Sequence, residues 1–240
     1  DKREKWADKM DEAKAIRLSK DGEDNYSFGS RSSRRNLEED KKEDPKKKSR
    51  PSVRWSKDSK GFSMSRRDSR DVKELFLINS LSTPRPKLER YKYAMPGEEK
   101  ISRSDLYYFH RDSKKLSKVT PKWKQEAYQD VHWKFETSEL RFVRQDRPRR
   151  KLELVSLDLA TGKQTVLLED AFEVGLIASQ SVRYLEKRNE MIWWSERSGW
   201  GHYYLYDLSG KLKNTITWGT FRASRIVSVD EEKGMLYFTA

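Results

Sequence analysis

The chain has 240 residues and 28.6 kDa, of which 34% are hydrophobic and 38% charged. That length suffices for one large β domain or two small ones, while that composition excludes a chain packed into a core throughout. With no cysteine, disulfides and thiolate metal sites are excluded too, and no apolar run reaches the length of a membrane-spanning helix.

The net charge of +13 is regional. It runs +3, +5 and +6 over residues 1–50, 51–100 and 101–150, against −2 and +1 over 151–200 and 201–240. Such an excess steers encounters with acidic partners but does not dictate a fold. The chain opens on Asp1, with no leader-like start, and stops at Thr239-Ala240 inside a strand-like run. Both ends are therefore read as fragment boundaries.

Taken in order, residues 1–30 read as a lead-in or the end of a preceding sheet, with a helix-compatible stretch over 5–15. Residues 31–50, RSSRRNLEEDKKEDPKKKSR, hold one large apolar residue, Leu37, and form a charged low-complexity loop. From 51 to 240 the dominant period is two, the signature of strands, and Pro121–Tyr128 is the other helix-compatible piece. Arg54-Trp55-Ser56 turns through 57–60 into Gly61-Phe62-Ser63-Met64, and a charged turn leads to residues 74–78, ELFLI. LYYFHRDSKKLSKV, over 106–119, fits the last two strands of another sheet. Val131-His132-Trp133 leads to Leu140–Val143, then to Leu152–Leu157 and, past Thr161-Gly162, to Gln164–Leu168. Met191–Trp194 and Trp200–Tyr206 flank the turn Arg197-Ser198-Gly199, and Leu208–Lys211 turns the chain into Leu212–Thr217. Residues 225–229 and 235–238 make a last hairpin.

These modules recur. Phe142 to Trp193 and Trp193 to Tyr237 are separated by roughly 50 and 45 residues, the repeat expected of propeller blades. The expected fold is all-β, a partial β-propeller of about four four-stranded blades with a charged insertion. An immunoglobulin-like sandwich has similar strand spacing but lacks the long repeat. In a propeller both faces of each sheet are covered, which accounts for runs such as Trp193-Trp194 and Tyr203-Tyr204 as filler between sheets.

Chemistry-bearing motifs are few. No G-x-S-x-G turn occurs, and His110, His132 and His202 each lie within or at the edge of an expected strand. No His, Asp or Glu pattern has metal-ligand spacing, and no glycine-rich phosphate loop appears. No catalytic residue, metal ligand or cofactor is accordingly expected of this chain, and no residue is singled out for substrate binding. The acidic pairs Glu38-Glu39, Glu98-Glu99 and Glu231-Glu232 sit in turn-like or low-complexity surroundings, where solvated charge is expected. The basic tip Arg147–Lys151, RPRRK, offers an alternative function as a binding module with a basic face for an acidic partner. Nothing that would read nucleic acid accompanies it, so nucleic acid is not the expected partner.

SERSGWGHYYLYD (195–207), continued by SGKLKNTITWGTF and RIVSVDEEKGMLYFTA, resembles the N-terminal β-propeller of the dipeptidyl peptidase IV family, in the prolyl oligopeptidase clan. NSLSTPRPKLERYKYAMPGE (79–98) is similar to that family's Pro-x-Leu-x-x-Tyr-x-Tyr-x-x-Pro-Gly-Glu connection between blades, and Trp55–Ser59 to its blade start. The resemblance implies the non-catalytic propeller region of a serine exopeptidase. That region caps an α/β-hydrolase domain of the same protein, and the hydrolase domain supplies the Ser, Asp and His. It also implies peptide substrates, a periplasmic or extracellular location, and leaves room for a homodimer contact. The family's amine-binding Glu pair does not carry over with its aromatic frame: Glu38-Glu39 has Asn36, Leu37 and Asp40 beside it.

Overall fold

The computed structural model describes residues 16–28, 51–134, 138–175 and 182–240. Glu38-Glu39, the charged loop over 31–50 and the helix-compatible stretch 5–15 lie outside the described residues. Regular structure among the described residues is strand throughout, and no helix is long and apolar enough to cross a membrane. Pro121–Tyr128, read as helix-compatible, is irregular until a strand begins at Ala127. Lys122 and Trp123 give their backbone N–H groups to the Glu126 carboxylate at 2.9 and 3.1 Å, which ties this stretch into a turn rather than a helix.

Two compact units divide the chain. One holds the described residues up to Arg54 together with Gly61–Ser102 and Leu106–Val119, and the other holds Trp55–Lys60, Arg103–Asp105 and Thr120–Ala240. In the first, β1 (Tyr26–Ser27), β3 (Gly61–Asp68), β6 (Arg103–His110) and β7 (Lys115–Lys118) follow one another across a sheet, with β2 (Val53–Trp55) also paired to β3. Between β3 and β6 the chain leaves this sheet as a separate hairpin of β4 (Glu74–Asn79) and β5 (Lys87–Lys92).

That departure corrects the sequence reading in one respect. Residues 74–78 do not supply the strand beside Gly61–Met64, because β6 takes that place and stacks Phe109 on Phe62 at 4.8 Å between ring centroids. The segment 79–98 is likewise the turn and return strand of a hairpin rather than a plain connection.

The second unit contains two complete meanders. β8 (Ala127–Trp133), β9 (Glu139–Gln145), β10 (Lys151–Asp158) and β11 (Gln164–Ala171) form the first, and β12 (Arg183–Leu185), β13 (Glu190–Ser195), β14 (His202–Asp207) and β15 (Leu212–Thr215) the second. A hairpin of β16 (Arg225–Asp230) and β17 (Met235–Thr239) follows. Every pairing in these three sheets is antiparallel.

Strand period and packing meet in β13, where all six residues are buried. Met191 and Trp193 join Val143, Leu152, Leu154 and Leu168 of the preceding sheet in one core. Ile192 and Trp194 point the other way, into a core closed by Ile226, Val229, Leu236 and Phe238 of the following hairpin. A sheet buried on both faces cannot alternate apolar with polar residues, which is why Trp193 and Trp194 stand side by side in sequence. Each such ring withdrawn from water contributes about 1.5–3 kcal/mol.

Acidic residues open the hairpin turns. The Oδ1 atoms of Asp146, Asp158, Asp207 and Asp230 accept backbone N–H groups of residues two to five positions on, at 2.7–3.1 Å. Each carboxylate replaces the ladder partners that a turn removes.

Candidate functional site

The most specific sequence motif, residues 195–202, forms the turn between β13 and β14, and its side chains are committed to neighbouring strands. Asp170, next to last in β11, is buried and accepts the Trp193 indole N–H at 2.7 Å and the Ser195 hydroxyl at 2.9 Å. The Arg197 guanidinium completes the node, donating to Asp170 Oδ1 at 3.2 Å, Ser195 Oγ at 3.0 Å and the Tyr206 hydroxyl at 2.6 Å. Its Cζ also lies 4.5 Å from the Tyr204 ring centroid. Burial pushes the Asp170 carboxyl above its ordinary value, and the three donors pull against that rise. Ser195 therefore has a carboxylate and a guanidinium as partners, not an imidazole, and it works as a connector between sheets.

His202 is equally occupied. Thr217 Oγ1 accepts from the Tyr203 N–H at 2.9 Å and is hydrogen-bonded to His202 Nδ1 at 3.2 Å; a carbonyl only accepts, so Nε2 carries a proton and donates to the Gly219 carbonyl at 3.1 Å. Both ring nitrogens thereby fasten the 216–224 segment to β14. Trp194 donates its indole N–H to the Ala223 carbonyl at 2.6 Å, and the Ala223 N–H returns to Gly201 at 2.8 Å. Gly201 presses directly on the Trp194 ring: a Cβ there would lie 2.1 Å from Trp194 Cζ2.

These bonds bring the connecting segments to one end of the second unit. Asp170 and Ser195 meet at the ends of their strands, Phe172 N–H donates to the Arg150 carbonyl at 2.9 Å, and residues 216–224 lie against 201–203. On this rigid frame three aromatic residues face solvent: Trp200, Trp218, which is 73% exposed, and Phe221. Phe221 meets the His202 ring edge-on at 5.4 Å, and Arg222 lies over the Trp194 ring at 5.2 Å. The basic tip shares this end. Arg147 donates to Gln125 at 2.7 Å, while Arg149 and Arg150 are exposed.

The remaining residues singled out from sequence are scattered. His132, in β8, stacks on Tyr184 at 4.4 Å, and burial lowers its pKa. His110 ends β6 in the first unit. Glu98 accepts the Met95 N–H at 3.1 Å and pairs with Lys73 at 3.2 Å, which together hold its carboxyl below the usual range. Glu231 and Glu232 accept the backbone N–H and the ammonium of Lys187 at 3.0 and 2.8 Å. Among the described residues no group of three His, Cys, Asp or Glu side chains is placed to hold a metal.

The sequence reading missed a set of interior charges. In the first unit Arg66 is buried, donates twice to Asp21 at 2.7 Å, and lies 3.4 Å over the Tyr26 ring, whose ring Arg70 also approaches at 3.9 Å. In the second, buried Glu153 accepts from Arg144 at 2.6 and 2.8 Å and from Lys122. Arg141, also buried, donates to Glu139 at 2.8 Å and to the Leu208 carbonyl at 2.9 Å. An arginine in an apolar strand carries no sequence mark that tells it from a surface one.

Comparison with known proteins accords with this architecture. Residues 47–240 match the family described as "Dipeptidyl peptidase IV (DPP IV) N-terminal region". The "Probable dipeptidyl peptidase 4" of Aspergillus flavus is 29% identical over 100 residues, covering 39% of this chain and 13% of that protein. The crystal structure of Porphyromonas gingivalis dipeptidyl peptidase 4 superposes with a TM-score of 0.63 at 19% identity, over 78% of this chain and 26% of that one. The chain thus spans a minor part of the length of these relatives, and the architecture it shares with them is that of a partial β-propeller. It belongs to the dipeptidyl peptidase IV N-terminal region family.

Proposed function

We propose that this chain is the non-catalytic propeller region of a dipeptidyl-peptidase-IV-like serine exopeptidase. In this reading it caps an α/β-hydrolase domain of the same protein, gates which peptides reach it, and acts in the periplasm or outside the cell. Family membership supports the reading, and one observation carries it. The end of the second unit that gathers the connecting segments exposes Trp200, Trp218 and Phe221 on a frame fixed by Trp194, His202 and Gly201. Rigid, half-exposed aromatic residues are what a docking or peptide-lining surface uses, because they offer contact area with little entropy to lose.

The hydroxyl and imidazole best placed to look catalytic have structural partners instead, Ser195 with Asp170 and His202 with Thr217 and Gly219. Hydrolysis is therefore assigned to the hydrolase domain. The experiment is to assay X-Pro and X-Ala dipeptide chromogenic substrates with this chain alone and with a protein that joins it to its hydrolase domain. Turnover is expected only from the joined protein. Turnover by the purified chain alone would overturn the assignment, and so would steep, salt-sensitive binding to a polyanion without any effect on hydrolysis.

A further inference from the structure

The tip of the β9–β10 hairpin carries cations that no carboxylate neutralises. Arg149, Arg150 and Lys151 are exposed, and among the described residues their side chains form no ion pair. The acid of this turn, Asp146, spends its Oδ1 on the backbone N–H groups of Arg150 and Lys151, at 2.7 and 2.9 Å. Arg149 sits at φ +57°, a left-handed conformation that glycine or asparagine adopts with less strain. A turn that keeps an arginine there, with its side chain in solvent and no partner in the fold, points to a use outside the fold.

The tip is tied to the aromatic end of the second unit. The Arg150 carbonyl accepts the Phe172 N–H at 2.9 Å, and a Cβ on Gly175 would lie 3.6 and 3.8 Å from the Pro148 and Arg149 carbonyl oxygens. Two residues before Phe172, Asp170 holds Ser195 and Arg197, at the turn that presents Trp200. The other acids of the described connecting segments here are engaged, Glu196 with Arg222 at 4.0 Å and Asp146 inside its own turn, which leaves Glu173 against the three unpaired cations of the tip. Positive charge thus stands beside exposed rings. A polypeptide with apolar and acidic side chains complements both features, whereas a basic one is repelled.

We propose that this end selects peptides that carry acidic side chains beyond the dipeptide to be released. The tip meets those carboxylates, and the exposed rings hold the peptide's apolar part. The inference rests on the peptide-gating reading given above. Stacked sheets lie roughly 10 Å apart and an extended peptide advances roughly 3.3 Å per residue, so an acid about three residues along from one resting on Trp200 is within reach of the tip.

The test uses the protein that joins this chain to its hydrolase domain. Its substrates are X-Pro peptides extended by a neutral segment, by the same segment with a pair of aspartates, or by the same segment with a pair of lysines. An exposed ion pair changes an equilibrium by up to about fivefold, so kcat/KM should favour the aspartate peptide over the lysine peptide by about tenfold at low salt. The preference should shrink as salt rises and screens it. Arg149→Glu combined with Arg150→Glu should abolish or invert it at an unchanged melting temperature, since both side chains are exposed. Lys163→Glu combined with Lys211→Glu makes the same charge change in the β10–β11 and β14–β15 turns, at the opposite end of the strands, and should preserve it.

Equal kcat/KM for all the peptides, a preference that survives the arginine variant, or one lost equally in the lysine variant would each overturn the proposal. Oligonucleotide binding that the arginine variant abolishes, without discrimination among peptides, would assign the tip to nucleic acid and overturn it as well. Cleavage of every peptide without preference leaves the hydrolase-capping function standing. No cleavage of any X-Pro substrate by the joined protein removes that function and this inference with it.

Discussion

Trp193 donates its indole N–H to Asp170 at 2.7 Å across the boundary between two sheets of the second unit. The same carboxylate holds Ser195 and Arg197, so three donors from β13 and the turn after it converge on one acid at the end of β11. Truncating it leaves those donors without their shared acceptor. Asp170→Ala should destabilise the chain by about 3–5 kcal/mol, the range found when one partner of a buried charged cluster is removed. Asp170→Asn keeps an acceptor oxygen and should cost less. Urea unfolding followed by tryptophan fluorescence reads both, and equal midpoints for Asp170→Ala and wild type would remove Asp170 as the joint between sheets.

Close approach, rather than turn conformation, fixes Gly201. With a Cβ 2.1 Å from Trp194 Cζ2, Gly201→Ala must displace a ring held by its bond to the Ala223 carbonyl. Gly210 combines both constraints, because its φ is +93° and a Cβ would lie 2.2 Å from the Leu167 carbonyl oxygen. Each substitution to alanine should destabilise by about 1–3 kcal/mol or more. Gly162→Ala, with φ +72° but nothing within 4 Å, serves as the reference for backbone strain alone. Thermal melts should rank Gly162→Ala as the mildest of the three.

Backbone N–H groups in the turns hold the Asp158 and Asp207 carboxyls below their ordinary value, with the Ser209 hydroxyl the leading cause at Asp207. A carboxyl whose folded pKa is depressed binds its proton less readily when folded, so its stabilising contribution is present above the unfolded value near 3.8 and is lost as pH falls below it. Asp158→Asn and Asp207→Asn keep the turn acceptor without the titration. The double variant should show a flatter loss of stability than wild type between neutral pH and the acid range. Parallel acid limbs for the two proteins would mean that other carboxylates govern acid unfolding.

The meanders of the second unit were largely legible because turn chemistry and strand period agree: Thr161-Gly162 and Leu208–Lys211 sit between apolar runs of strand length, and β9 to β11 and β13 to β17 fall where those runs lie, whereas the short β12 and the start of β8 at Ala127 do not read as strand. The first unit was harder. Residues 74–78 are as apolar as a core strand, yet β4 is an exposed hairpin arm, and only long-range pairing of β3 with β6 reveals it. Local pattern carries no information about which strand a given edge selects. Of the candidate site, the motif over 195–202 stood out, but its reading as a run of core rings was incomplete. Ser195 and Arg197 look like turn residues until Asp170, twenty-five positions before Ser195, is seen to hold them. The exposed trio Trp200, Trp218 and Phe221 was also invisible, since composition does not tell a ring that fills a sheet from one that faces solvent.

That distinction yields a last expectation. Trp218 is 73% exposed and His202 is buried, yet both belong to the same end of the second unit. A surface residue without buried contacts contributes little to folding, so Trp218→Ser should change stability by less than about 0.5 kcal/mol. His202→Ala removes two hydrogen bonds from inside the frame and should cost about 1–3 kcal/mol. If the exposed rings meet the hydrolase domain or its peptides, Trp218→Ser in the joined protein should lower kcat/KM on X-Pro substrates while its melting temperature stays that of wild type. A Trp218→Ser protein with unaltered hydrolysis, short and long peptides alike, would detach this aromatic surface from the peptidase reading and leave it as an inert rim.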